Sequence, residues 1–290
     1  MTDIRARAIA LYDDFTHGHG DRRSFMAQMI ALAGSAAAAE ALVAAIASAE
    51  AAAQQVDPAD KRIRTQKGSQ TLASGRKMRG YLAAPVGLKR KTGAVMVIHE
   101  NRGLNAHIED VARRVAIGGY IAFAPDFLTS AGGTPADADQ AREMIGKLDL
   151  AATVAEAVEV VKLLATVPGA NGKVGAVGFC WGGAMTNRVA VAAGPALAAA
   201  ASYYGPAPDP AEAAKVSATM LLHLAGNDAR VNATGVPWGE ALKAAGKGEA
   251  FVYPGVDHAF NNDTSAERYN PAAAKLAWDR TMAMFKARLT

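Results

Sequence analysis

The chain has 290 residues, 51% of them apolar and 20% charged, which is the composition of a globular protein able to bury a large core. A formal net charge of +4, with no lysine/arginine block interleaved with aromatics, gives no support to a nucleic-acid partner. The single cysteine, Cys180, excludes an internal disulfide framework, and no C-x-x-C or H-E-x-x-H spacing marks a zinc site.

At the amino-terminal end, Thr16-His17-Gly18-His19-Gly20 holds two histidines in a glycine-rich turn. Without a third ligand beside them they read as a solvated loop rather than a metal site. Asp21-Arg22-Arg23-Ser24-Phe25-Met26 then opens a run of low polarity that reaches about Ala53. Paired arginines before a modest apolar stretch are the layout of a twin-arginine export signal, with Ala47-Ser48-Ala49 as an A-x-A cleavage site and the periplasm as destination. Glu40 interrupts the run. The alternative is an amphipathic helix over residues 24–55, packed on the domain of a cytoplasmic protein. Neither reading makes the run a membrane span, because alanine is barely apolar and Glu40 is costly in lipid. The chain thus divides into an amino-terminal extension, 1–56, and an α/β domain, 57–290.

From Asp57-Pro58 onward, strand and helix patterns alternate. Residues 75–84 read as an antiparallel strand pair or its second half. Strands are predicted at 94–99, 120–124, 173–177, 199–203, 219–224 and 250–253. Helices are predicted at 108–117, 135–148, 151–166 and 271–289, the third from apolar positions Val154, Ala157, Val158, Val161, Leu164 and Ala165. Such alternation implies an α/β fold: a mostly parallel twisted sheet, helices on both faces, and ligands bound beyond the carboxyl ends of the strands.

The strand at 173–177 runs into Gly178-Phe179-Cys180-Trp181-Gly182, and a small-residue helical run follows. This is the nucleophile-elbow pattern G-x-S-x-G with sulfur in place of the hydroxyl. It sets a thiol over a helix amino terminus, where the thiolate is favoured. A cysteine nucleophile needs a base, and the base needs an orienting partner. Asp228 follows the strand at 219–224, and His258 follows the strand at 250–253. The order nucleophile, acid, histidine is that of an α/β-hydrolase. Each has a plainer alternative: a packed thiol for Cys180, a helix cap or turn for Asp228, a loop residue for His258. Asp257 competes with Asp228 but adjoins the histidine, and adjacent side chains rarely face each other. His99 and His223, on strands, read as satisfied core residues. In this fold the loop after the strand at 94–99 supplies one oxyanion amide and the residue after the nucleophile supplies the other. The candidates are the backbone N–H groups of Asn101 and Trp181. Glu100 would then point at the thiol and, by like charge, hold it protonated until substrate displaces it. Its alternative is a structural pair with Arg102 or another arginine.

Together these motifs resemble the dienelactone hydrolase (carboxymethylenebutenolidase) family of α/β-hydrolases, from about Gly80 to the carboxyl terminus. The resemblance rests on His99-Glu100-Asn101-Arg102-Gly103, Ala124-Pro125-Asp126, Gly172-Lys173-Val174, Gly178-Phe179-Cys180-Trp181-Gly182-Gly183, Ala225-Gly226-Asn227-Asp228 and Gly255-Val256-Asp257-His258-Ala259-Phe260. It implies a Cys180–His258–Asp228 triad, Glu100 as the thiol-gating glutamate, no metal and no organic cofactor. It also implies a small ester or lactone as substrate, the enol-lactone type included, without membrane or nucleic-acid partners, and it is compatible with a homodimer. Members of the family hold a substrate carboxylate with arginines, one of them shortly after the catalytic histidine. Here that place is Asn262, flanked by Asn261 and Asp263, so Arg102 and Arg142, with Phe260, are the substrate-binding candidates. Two other readings stand beside this one: a broad carboxylesterase using the same triad, and a non-catalytic binding protein in which Cys180 is packed and inert.

Overall fold

The computed structural model of the chain describes residues 2–18, 21–47 and 54–290. Its frame is one eight-stranded sheet. Strands β1 (Ile63–Thr71) and β2 (Lys77–Pro85) form an antiparallel hairpin at one edge. Then come β3 (Thr92–Ile98), β4 (Ile121–Pro125), β5 (Ala170–Phe179), β6 (Ala199–Tyr203), β7 (Thr219–Ala225) and β8 (Gly248–Tyr253). The spatial order is β1-β2-β4-β3-β5-β6-β7-β8, with every pair from β4 to β8 parallel. This is the α/β architecture expected from the alternation of elements.

β3 shows why the sheet is covered on both faces. Its residues Ala94 to Ile98 are all fully buried, the continuous apolar run of a parallel interior strand. Alternate side chains serve opposite cores. Met96 and Ile98 pack under helices α6 (Leu150–Leu164) and α7 (Trp181–Ala192), in one apolar layer with Val161 and Val189 that continues to Trp238 of α8 (Ala229–Ala244) over β7 and β8. Val95 and Val97 pack under α4 (Ala106–Ile117) and α9 (Pro271–Leu289), beside Val111 and Phe285. Helix α5 (Ala138–Gly146) lies in the connection after β4. Side-chain oxygens cap these helices where the sequence offers them: Asn105 accepts from Ile108 N–H, Asp149 from Ala152 N–H and Asn270 from Ala273 N–H.

The amino-terminal stretch departs from expectation. Residues 24–55 do not form one helix. Helix α2 (Arg22–Ala33) stops at Gly34, whose φ of 83° is left-handed, and α3 (Ala36–Ile46) restarts under a Ser35 cap at 107° to it. A further helix, α1 (Thr2–His17), precedes them. The three share a small core of Ile9, Tyr12, Phe15, Phe25, Met29 and Ile46. They are tied to the sheet domain by polar contacts: Asp13 with Arg268 at 3.2 Å, Asn101 Nδ2 donating to Thr16 O at 3.0 Å, and Ser265 Oγ donating to Ile46 O at 2.6 Å. Among the described residues no single helix is long and apolar enough to cross a membrane; the bent α2–α3 pair passes that test together, by length and composition only. His19 and the Ser48-Ala49 part of the cleavage motif lie outside the described residues.

Candidate active site

The carboxyl ends of β3, β5, β7 and β8 converge on Cys180. The turn from β5 into α7 forces this residue to φ 54° and ψ −113°, a conformation that few side-chain-bearing residues adopt. Its flanking glycines are required by space. A Cβ at Gly178 would stand 2.1 Å from Gly182 O, and one at Gly182 would stand 2.4 Å from Ile98 O. Among the described residues, Cys180, Tyr204 (φ 38°) and Ala259 (φ 66°) are the only non-glycines at positive φ. The Tyr204 ring lies 5.0 Å from His258, which Ala259 follows, so the strained backbone is gathered around this one centre.

The expected acid and base meet. His258 Nδ1 is 2.5 Å from Asp228 Oδ2, with both side chains buried. Asp228 also caps α8, its Oδ1 accepting from Val231 N–H at 3.1 Å, so the plainer reading of this residue and the functional one hold together. A ring nitrogen of His258 lies within 4.8 Å of Cys180 Sγ. Its Nε2 is buried and has no hydrogen-bond partner among the described residues. Burial pushes the His258 imidazole down, but negative charge on Cys180 and the Asp228 hydrogen bond outweigh it and lift the group to about 10. Burial raises Asp228, and its bond to His258 more than reverses that, leaving the carboxyl below its ordinary range.

The thiol's own partner was not foreseen. His17, expected in a solvated loop, ends α1 and lies with Nε2 3.0 Å from Cys180 Sγ. Its ring stands edge-on to His258 at 4.5 Å between centroids. His17 Nδ1 donates to Asp13 O at 2.9 Å, which leaves an unprotonated Nε2 facing the sulfur. Burial first, then the charges of His258 and Arg230, hold this imidazole well below its ordinary range, so it is neutral. A signal for α1 is present in the sequence: the buried positions Ala8, Ile9, Tyr12 and Phe15 fall at helical spacing. Nothing in the local sequence links His17 to a cysteine 163 positions away.

Glu100 faces elsewhere. Its Oε2 accepts from Asn262 Nδ2 at 2.8 Å and its Oε1 from the Tyr204 hydroxyl at 3.4 Å, so the residue standing where the family has an arginine engages this carboxylate. Arg102 donates to the Tyr12 hydroxyl and lies over that ring, inside a niche of about 20 Å³ that Glu100, Asn101, Cys180, His258 and Arg268 also line. Arg142 lies 4.5 Å over the Phe15 ring, and its Nε has no partner among the described residues. It lines a groove of about 670 Å³ shared with Cys180, Trp181, Asn101, His17 and Arg230. Trp181 opens α7, where amide N–H groups lack acceptors within the helix. Its indole stacks on His99 at 5.1 Å. Phe260 is corrected: it is fully buried between Tyr204 and Tyr253, in the core rather than on a substrate surface. Asp257 accepts from Asn227 at an exposed turn. His99 and His223 are buried and hydrogen-bonded, as expected of core histidines.

Known proteins align with this arrangement. A protein from Synechocystis sp., "Putative carboxymethylenebutenolidase", is 31% identical over 234 residues, covering 72% of this chain and 92% of its own length. "Putative hydrolase fragment YghX" of Escherichia coli is 58% identical over 72 residues; the match takes in 25% of this chain and 62% of that fragment. The crystal structure of "Putative Dienelactone Hydrolase" from Klebsiella pneumoniae superposes with a TM-score of 0.69 at 30% identity, covering 77% of this chain and 98% of that one. The family model described as "Dienelactone hydrolase family" matches residues 78–289. The chain therefore belongs to the dienelactone hydrolase family, hydrolases of carboxylic esters and lactones built on the α/β-hydrolase fold.

Proposed function

We propose that the chain cleaves small carboxylic esters or lactones through an acyl-enzyme on Cys180. The observation that supports this most is the meeting of Cys180, His258 and Asp228 from three distant strand ends, with the sulfur on a strained elbow. The thiolate attacks the substrate carbonyl, and the imidazolium of His258 gives its proton to the departing alkoxide. The neutral imidazole, oriented by Asp228, then takes a proton from water. The resulting hydroxide attacks the thioester, and the carboxylic acid leaves as the thiolate and imidazolium are restored. The amides of Asn101, just after β3, and Trp181, at the start of α7, hold the oxyanion in this reading, where each such donor is worth about 2.7–4 kcal/mol of barrier.

Substrate reaches the sulfur by the larger groove, since His17 covers the side facing α1. Arg142, Arg230 and Lys147 line that groove with Asp21 and Glu143, while Asp139 is engaged by Arg22, which leaves the lining with a surplus of one positive charge. This favours a substrate carrying a carboxylate beyond its ester, with Arg142 doing what the arginine missing after His258 does elsewhere in the family. The test is a pair of substrates, an anionic enol-lactone and its methyl ester, with wild type and Arg142→Ala. The expected result is a KM raised roughly tenfold or more for the anion and little changed for the methyl ester. Equal effects on both would leave the broad carboxylesterase as the better reading.

A further inference from the structure

We infer that His17 Nε2, Cys180 Sγ and His258 Nε2 form a site for a thiophilic divalent cation, best matched to Zn²⁺, which closes the catalytic centre reversibly.

The donor geometry carries this. One ligating atom from each residue lies within 4.8 Å of the other two, and His17 Nε2 stands 3.0 Å from the sulfur. An ion bonded at about 2.0–2.3 Å to nitrogen and sulfur separates its tetrahedral ligands by about 3.3–3.8 Å. Side-chain adjustments of an ångström or less bring the three to that spacing. Both imidazoles are already set for it. His17 Nδ1 is bonded to Asp13 O at 2.9 Å and His258 Nδ1 to Asp228 Oδ2 at 2.5 Å, so Nε2 is the nitrogen each ring has to offer a cation, His17 Nε2 already facing the sulfur and His258 Nε2 once its proton is displaced. An oxygen acceptor on the far nitrogen is the outer-shell arrangement of metal-binding histidines. Two imidazole lone pairs and a sulfur then face one point with a single proton among them. One proton cannot serve all three donors, and the buried His258 Nε2 has no hydrogen-bond partner among the described residues. A cation satisfies all three donors at once. Two nitrogens and one thiolate select a borderline-soft ion over magnesium or calcium. Three protein ligands leave a fourth position toward the groove that Cys180 and His17 line.

Occupancy ties up nucleophile and base together, so bound metal stops ester cleavage. The site uses two residues of the proposed triad but rests on donor geometry, and its readout is independent of activity. The protein is stripped with chelator, then titrated with Zn²⁺ by equilibrium dialysis and with Co²⁺ by absorption. The expected result is one equivalent of zinc, a near-ultraviolet sulfur-to-cobalt charge-transfer band, and ester hydrolysis that falls as zinc occupancy rises. His17→Gln should weaken zinc by more than about 100-fold, beyond what an outer-shell change costs. Cys180→Ser should lose the charge-transfer band, a check that stands even if the His17 variant misfolds. Zinc affinity unchanged in a folded His17→Gln protein, or no sulfur-to-cobalt band in wild type, overturns the inference. A protein that hydrolyses esters but takes up no zinc loses the metal site and keeps the hydrolase reading. Zinc uptake through His17 in a protein that cleaves no ester does the reverse.

Discussion

His223 and His258 sit on neighbouring strand ends, yet their surroundings drive them in opposite directions. His223, on β7, is sealed under α9 between the Tyr253 hydroxyl and Thr281 Oγ1, each 3.0 Å away, and burial pushes it down to about 3. His258 is equally enclosed, but Asp228 and the sulfur hold its proton. The linkage for His223 follows from its sign. A histidine depressed in the folded state stabilises as the neutral form, fully above its ordinary pKa of about 6.5, and loses that contribution as pH falls toward about 3. The melting temperature should therefore fall through this acid window in wild type, and the fall should be shallower in His223→Gln. Superimposable acid limbs would contradict this. Both histidines were legible as types of residue: one on an apolar strand, one just past a strand end. The partners of Glu100 were not. A carboxylate beside an elbow reads as aimed at the nucleophile, and only the fold shows Asn262 and Tyr204 engaging it instead.

At the scale of elements, the turn between β5 and α7 carries the chemistry, and it works because two backbones come closer there than any Cβ allows. A methyl group on Gly182 would meet the carbonyls of Ile98 at 2.4 Å and His99 at 2.5 Å, backbone atoms at the end of β3 that have no room to yield. Gly182→Ala should cost about 1–3 kcal/mol of stability, as overpacking does, and should displace Cys180 enough to cut kcat. Thermal melts and steady-state kinetics check both, and an unchanged melting temperature would show that the elbow relaxes more freely than these distances allow. The elbow was plain in the sequence because its glycines and its strand-to-helix context are local. The interior strands were plain for the same reason. β1 was not, because only Ile63 among its nine residues is buried and an exposed edge strand shows no apolar period. The break between α2 and α3 rests on Gly34 and Ser35, ordinary turn chemistry hidden within a run of alanines that favours helix on either side.

The molecule as a whole brings together what no local pattern joins. Cys180, Asp228 and His258 meet because three parallel strands end at one rim, a consequence of topology that alternating strands and helices predict. The amino-terminal helices add a residue to that rim from outside the sheet. Their small apolar core holds them together, and polar contacts from Asp13, Thr16 and Ile46 set α1 so that its last residue touches the sulfur. This contact spans most of the chain and depends on tertiary packing alone, which is why the sequence showed a histidine in a turn and the structure shows a second imidazole at the nucleophile.

The central claim is that the sulfur of Cys180 carries the acyl group. It is tested most directly by mixing the metal-free protein with p-nitrophenyl acetate, quenching in acid during the first turnover, and mapping the modified peptide by mass spectrometry. The account predicts an acetyl group on the peptide holding Cys180, gained at the rate at which the first equivalent of p-nitrophenol appears and absent in Cys180→Ala. Rapid ester cleavage with Cys180 unmodified, or undiminished cleavage by the alanine variant, would contradict it.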